Sequence, residues 1–170
     1  VEVTSFAPQN PGRNVFNGWL DAEIEALNPG KTKTLRTEMG ALPMEAGFFD
    51  PAPDGIIRMG LGSGAARPST GYAFTRTQIQ ADQVARALIR GHVPNTVLDG
   101  PMNRFMDRVF LQVLAAAPEQ GPALFEMLFR NAPSDRLERF LSGSSNFIDR
   151  LSVMTSLPPI PFLRAAVFPT

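Results

Sequence analysis

Apolar residues recur every three to four positions through most of the second half of the chain, and every second position in parts of the first half. The helical period is clearest from Met102 to Ala117, where Phe105, Met106, Val109, Phe110, Val113 and Leu114 form one stripe between Asp99-Gly100-Pro101 and Pro118. Tyr72 to Arg90 has no Pro or Gly until Gly91, which suits a left-handed cap. A third helix is predicted within Glu119–Arg130, carrying Leu124, Phe125, Leu128 and Phe129. Ser134 reads as the N-cap of a fourth, with Asp135 in its first turn and Gly143 as its breaker. Asn146 to Thr155 reads as a fifth, followed by a stiff Pro158-Pro159-Ile160-Pro161 connector and a last apolar segment, Phe162 to Phe168.

The first part reads differently. Val1 to Phe6 alternates as a strand, Thr32 to Met39 suits a second, and Gly40 to Met44 continues it or pairs nearby. Ile56 to Leu61 reads as a strand entering a glycine-rich turn. Loops are predicted over Ala7–Arg13 and Glu45–Gly55. Between them, Asn17 begins a short helix with Trp19, Leu20, Ile24 and Leu27, which Asn28-Pro29-Gly30 stops. Residues 1–70 therefore form one part, and residues 71–170 a helical one. The fold class expected is α+β.

At 170 residues and 44% hydrophobic, the chain can bury a real core. Its formal net charge of zero argues against a nucleic-acid binder working through a broad basic surface. There are no cysteines, so disulfides and thiolate metal sites are excluded. His92 stands alone and makes no multi-histidine metal site, so no metal is expected. The first residues lack the basic and apolar regions of a signal peptide. The most apolar stretch, Val109 to Ala117, contains Gln112 and is too short to span a bilayer. With no Met at position 1 and an opening that already alternates, the chain reads as a segment of a longer protein or a cleaved precursor.

The candidate chemistry lies in Gly60-Leu61-Gly62-Ser63-Gly64-Ala65-Ala66-Arg67-Pro68-Ser69-Thr70-Gly71-Tyr72. Glycines let the backbone approach a ligand, and a helix N-terminus after such a turn attracts anions or electron-rich atoms. A tight connection with no ligand is the other reading. The segment resembles the second flavin-contacting motif of the lycopene cyclases, in which G-x-G-x-x-A runs into a Pro-Ser/Thr-Thr-Gly-Tyr helix start. Arg36-Thr37-Glu38-Met39-Gly40-Ala41-Leu42-Pro43-Met44 is similar to that family's Arg-x-Glu-x-Gly-x-Leu-Pro-Met segment, and Val1-Glu2-Val3-Thr4 to its apolar-Glu-x-Thr strand. Arg139-Phe140-Leu141-Ser142, Asp149-Arg150-Leu151 and Leu157-Pro158-Pro159-Ile160-Pro161-Phe162-Leu163 follow in the order of the bacterial members' helical tail. Two positions depart. Arg67 stands where many members have His, and Val3 where many have a second acid.

The resemblance implies the C-terminal part of a lycopene beta-cyclase. Its fold would be the strands of a truncated FAD-dependent, Rossmann-like two-domain flavoprotein followed by a helical C-terminal region. The N-terminal dinucleotide-binding unit is absent from the chain, which is expected to be inactive alone. It implies ring closure on lycopene or a related linear carotenoid, with reduced FAD as cofactor and NAD(P)H as electron source. Protonating an alkene needs a carboxylic acid that burial keeps protonated, and Glu2 matches the family's strand glutamate. Glu38 is the second candidate, with a structural role as its other reading. The implied cofactor contacts are Gly60, Gly62, Gly64, Ala65, Pro68, Thr70, Gly71 and Tyr72. Peripheral contact with the cytoplasmic face of the bacterial membrane follows from the substrate's insolubility, through Phe105–Leu114, Phe125–Phe129 or Ile160–Phe168. Another FAD-dependent enzyme, such as a hydroxylase or prenyl reductase, would carry a Gly-Asp pair where Gly62-Ser63 stands. A helical module binding a lipid or protein partner is the non-enzymatic alternative.

Overall fold

The structure, a computed structural model, describes residues 1–5, 11–28, 30–42, 44, 53 and 55–168. Residues 6–10 and 45–50, which hold most of the two predicted loops, lie outside the described residues, as do Pro29 and Pro43. The chain divides into two units, Val1–Ala41 and Leu42–Thr170.

The first unit holds helix α1 (Arg13–Leu27). It starts four residues before Asn17, after Gly12 at φ 90°. It ends as expected at Asn28, whose left-handed φ of 43° turns its N–H back to the Glu25 carbonyl. Phe16 and Trp19 meet edge to face at 5.3 Å. No residue of α1 is buried.

The predicted strands do not form. Among the described residues every regular element is helical, and Val1–Ser5, residues 31–42 and Ile56–Met59 run without ladder partners. Alternation and β-branching favour extended backbone, but a strand exists only through hydrogen bonds to a neighbour. Here no described segment supplies one, and every residue from Lys31 to Leu42 is exposed. The α+β expectation, with its Rossmann-like strands, is replaced by an architecture that is all-helical among the described residues.

The second unit carries a short 3₁₀ turn at Gly60–Ser63. Then come α2 (Phe74–Ile89), α3 (Pro101–Ala116), α4 (Gly121–Asn131), α5 (Ser134–Ser142), α6 (Phe147–Thr155) and α7 (Pro159–Val167). Helix α2 starts two residues later than the pattern suggested and ends with Gly91 at φ 69°, the left-handed position expected. Pro101 opens α3, its missing N–H being one that a helix start leaves unpaired anyway. The same logic corrects the last connector: Pro158 is the N-cap of α7 and Pro159 its first residue. Ser134 lies inside α5, whose N-cap is Pro133.

Helix α3 packs on α7, and α5 on α6. The core joins Phe110, Val113 and Leu114 of α3, Leu124 and Leu128 of α4, Leu137, Phe140 and Leu141 of α5, Val153 of α6, and Leu157. Phe110 is its centre, with Phe125 at 5.4 Å and Phe162 at 5.6 Å between ring centroids.

The junction of α5 and α6 is electrostatic. Asn146 and Asp149 form a reciprocal capping box. Arg139 of α5 donates to both Asp149 carboxylate oxygens, at 2.9 and 2.7 Å. Those Arg139 hydrogen bonds, helped by the Asn146 N–H, pull the Asp149 carboxyl from the ordinary 3.8 down to about 2. A depressed carboxyl stabilises the fold above its unfolded pKa, and the contribution disappears as pH falls through the folded value. Stability is therefore expected to fall between about pH 4 and pH 2. Asp149→Asn should be less stable at pH 7 and show a flatter acid limb in helical ellipticity at fixed denaturant. An unchanged acid limb would remove Asp149 from the transition.

Candidate active site

The glycine segment folds as a pinned turn with an open front. Gly60 and Gly64 adopt left-handed φ values of 66° and 76°, which glycine reaches without Cβ strain. From behind, the buried Gln80 of α2 accepts the Gly60 N–H at 2.7 Å and donates to the Thr96 carbonyl at 2.9 Å. In front, Gly62 is exposed, and a Cβ built there would meet nothing within 4 Å. Ala65 is buried and supports the turn from within.

The Pro68–Tyr72 stretch forms a second turn closed on itself. The Arg67 carbonyl accepts the Thr70 and Gly71 N–H groups at 3.2 and 2.8 Å, and the Arg67 N–H donates to the Tyr72 carbonyl at 2.8 Å. Thr70 Oγ1 accepts the Tyr72 N–H, and the Tyr72 hydroxyl meets that of Thr75 at 2.6 Å. Gly71 has φ 70°, and a Cβ there would lie 3.1 Å from Leu42 Cδ1, so both backbone and space demand glycine. The N–H groups of Thr70, Gly71 and Tyr72 are thus engaged inside the turn, and α2 begins only at Phe74.

Behind this turn lies a buried polar cluster. Arg67, fully buried, donates through Nε to Asp107 Oδ1 at 2.9 Å and through Nη1 to the Phe140 carbonyl. Its guanidinium sits 3.7 Å over the Phe140 ring. Ser69 Oγ donates to the same Asp107 oxygen at 2.6 Å. Arg67 Nη2, Asp107 Oδ2 and Asn103 Oδ1 are buried without a hydrogen-bond partner. Burial pushes the Asp107 carboxyl above the ordinary carboxylate range, against the opposing pull of Arg67. Burial also lowers the Arg67 guanidinium, against the pull of Asp107. Arg76 of α2 forms a parallel link, with two hydrogen bonds to Asp99 at 3.0 and 2.5 Å and one to the Ala65 carbonyl at 2.6 Å.

Ser69 and Thr70 stand in the wall of a cavity of about 400 Å³ lined by α3, α4, α5, α6 and α7. The remaining wall is almost wholly apolar, with Met106, Phe110, Phe140 and Phe162 among its residues. Phe105, Leu151, Met154 and Leu163 line the same cavity yet are exposed, so its mouth opens where they lie. The volume falls within the roughly 300–1,000 Å³ of small-molecule sites.

Of the residues singled out from sequence, Gly60, Gly62, Gly64, Ala65, Pro68, Thr70, Gly71 and Tyr72 lie in these two linked turns, and Thr70 also reaches the cavity. Glu2 and Glu38 belong to the other unit. Glu2 is exposed, with the Thr4 hydroxyl 3.5 Å from its carboxylate. Glu38 is exposed and paired with Arg36. Sequence reasoning missed Asp107 and Ser69. The available signal was a lone acid on the apolar stripe of α3, one turn from Phe110 and one from Asn103. Among the described residues no group of three or more His, Asp or Glu could hold a metal ion, and no helix is long and apolar enough to cross a membrane.

Residues 1–167 match a family model described as "Lycopene cyclase protein". A protein named lycopene beta-cyclase from a Paracoccus species is 28% identical over 160 residues, covering 85% of this chain and 38% of that protein. Its namesake from Pantoea ananas is 26% identical over 143 residues, 77% of this chain and 37% of that protein. The one from Pseudescherichia vulneris is 28% identical over 163 residues, 87% and 39% respectively. The chain thus spans well under half the length of these curated relatives. No solved structure matches.

Proposed function

The chain belongs to the lycopene cyclase family, and on that premise we propose that it supplies the glycine turn and helical region of a lycopene beta-cyclase. The reaction closes ionone rings on the ends of lycopene or a related linear carotenoid. The observation that carries the reading is the apolar cavity, walled by residues of five helices and by the Ser69–Thr70 turn of the family motif. A hydrocarbon end group needs such a lining, and a carbocation formed there is shielded from water.

Three steps are required: a proton joins the terminal alkene, an internal double bond attacks the cation, and a proton leaves. The sum is an isomerisation with no net redox change. Glu2 is the proposed acid, a role that requires its carboxyl to be dry when substrate is bound. Glu38, held by Arg36, supports its own segment. The open Gly60–Ser63 front, where Gly62 has free space, suits the close approach of a flat ring, and reduced FAD is assigned to it. Bound there and kept reduced by NAD(P)H, the flavin would supply electron density that favours a nearby cation. Gly64 and Gly71 hold the turns by their left-handed backbones, while Ala65 and Pro68 pack them.

The cavity mouth also suits peripheral contact with the cytoplasmic face of a membrane, where such a substrate dissolves. Its rim is apolar, and the exposed charges on α3 and α7 are Arg104, Arg108 and Arg164. The acids of the rim helices, Asp107 and Asp149, are buried. Phosphatidylglycerol vesicles are expected to bind the protein more tightly than phosphatidylcholine vesicles, by about fivefold per arginine engaged. Equal binding to both would remove the electrostatic part.

The decisive experiment expresses the protein from its full reading frame in a lycopene-accumulating bacterium. Ring-closed products by chromatography are expected. Unchanged lycopene alongside folded, flavin-loaded protein would overturn the reading. Loss of lycopene to oxidised or reduced products would favour another flavoenzyme. Carotenoid bound but unchanged by a flavin-free protein would favour a non-catalytic lipid-binding module.

A further inference from the structure

We infer that Ser69, backed by the buried carboxylate of Asp107, takes the proton that the ring carbocation must lose. The inference rests on the cyclase reading above and adds the second half of its acid–base chemistry.

Three hydroxyl-bearing residues line the cavity, Ser69, Thr70 and Thr155. Thr155 donates back to the Leu151 and Ser152 carbonyls at 3.1 and 3.0 Å, which cannot retain a proton. Thr70 accepts the Tyr72 N–H as part of its own turn. Ser69 alone of the three leads to a carboxylate, donating to Asp107 Oδ1 at 2.6 Å. With its proton given to Asp107, the Ser69 oxygen keeps lone pairs able to accept. Asp107 is 1% exposed, and its Oδ2 has no partner. Hydrocarbon surrounds the rest of the space, so Ser69 is the wall group able both to accept a proton and to pass one on.

The step balances. The C–H bond beside the cationic carbon breaks, and its electron pair becomes the ring double bond. The proton joins Ser69 Oγ as the original Ser69 proton moves to Asp107 Oδ1. The carbocation and the carboxylate are neutralised together, and Arg67 keeps its charge. When product leaves and water enters, the proton returns through Ser69 to solvent, matching the one drawn in by the acid.

The groups acting on Asp107 fit an acceptor. Arg67 and Ser69 approach from the turn and Asp99 adds a like charge from the loop before α3. Arg76 of α2 is paired with Asp99 and acts on Arg67, and Asn103 lies one turn earlier on α3 itself. Arg67 keeps the carboxylate form available. Burial, reinforced by Asp99, raises its appetite for a proton. Asp107 acts through Ser69 and is a positioning residue; Ser69 is the one that meets substrate.

Ser69→Ala in the complete enzyme tests this, because it leaves the Arg67–Asp107 pair intact. The expected result is a fall in kcat of about 100-fold with KM little changed. The product mixture should also shift toward rings with a displaced double bond or an added hydroxyl, since a cation that is not deprotonated at one carbon is lost elsewhere or captured by water. Ser69→Thr should restore both. Asp107→Asn should show the same product shift, and the acid limb of its kcat–pH profile should disappear. Wild-type kcat with a single product in Ser69→Ala would overturn the assignment, as would a slower reaction with unchanged products and pH profile. If the wild-type enzyme forms no rings, the cyclase reading fails and this inference falls with it.

Discussion

Arg67→Ala is expected to destabilise the helical unit by about 3–5 kcal/mol, enough to unfold much of a marginally stable domain. The cost comes from what remains. Asp107 would keep a buried carboxylate with only the Ser69 hydroxyl against it, and the Phe140 carbonyl would lose its charged donor. The cation over the Phe140 ring, worth about 0.5–2 kcal/mol, disappears as well. The intact pair need not be strongly stabilising, since Arg67 Nη2 and Asp107 Oδ2 go unpartnered and both charges are desolvated. Arg67→Met combined with Asp107→Leu should therefore recover most of the loss, because well-packed apolar residues often replace a buried pair without penalty. On the proposed roles, the double variant should nevertheless cyclise poorly, separating the pair's structural part from its chemical one. Urea unfolding of the singles and the double completes the cycle. A cost below about 1 kcal/mol for Arg67→Ala would mean that water reaches Asp107 easily.

The second large effect is on turnover. On the proposed cyclase reading with Glu2 as the acid, Glu2→Gln in the complete enzyme is expected to slow cyclisation by about 10²–10⁴-fold, the usual contribution of a positioned general acid. Folding should change little, because Glu2 is exposed and surface substitutions usually stay within about 0.5 kcal/mol. Glu38→Gln is the control: its exposed pair with Arg36 is worth at most about 1 kcal/mol, and turnover should be retained. Near-normal rates in Glu2→Gln with reduced flavin present would remove it as the acid and leave Glu38 to be tried next.

Helices were readable because their determinants are local. The stripe from Phe105 to Leu114 fits α3 whatever it packs on, and Gly91 and Gly143 mark left-handed ends that few other residues reach. The N-terminal edges were less readable, since proline at N1 looks from sequence like a connector: Pro159 opens α7. Strands were misread because alternation in Val1–Ser5 or Thr32–Met39 expresses a preference for extended backbone, whereas a sheet requires a second segment at hydrogen-bonding distance.

The site divides along the same line. Glycine spacing located the first turn, because positive φ at Gly60 and Gly64 is a property of single residues, whereas the Pro68–Tyr72 stretch, read as a helix start, closes into a second turn before α2 begins at Phe74. The sequence by itself determined the helix stripes, the first glycine turn and the family motif. Only the tertiary structure decided that faces of α3, α4, α5, α6 and α7 enclose an apolar cavity. It also decided that Arg67 and Asp107, 40 residues apart, meet beneath its wall. The physical reason is range: backbone preferences act over a few residues, whereas a cavity and a buried charge pair depend on which distant surfaces exclude water together.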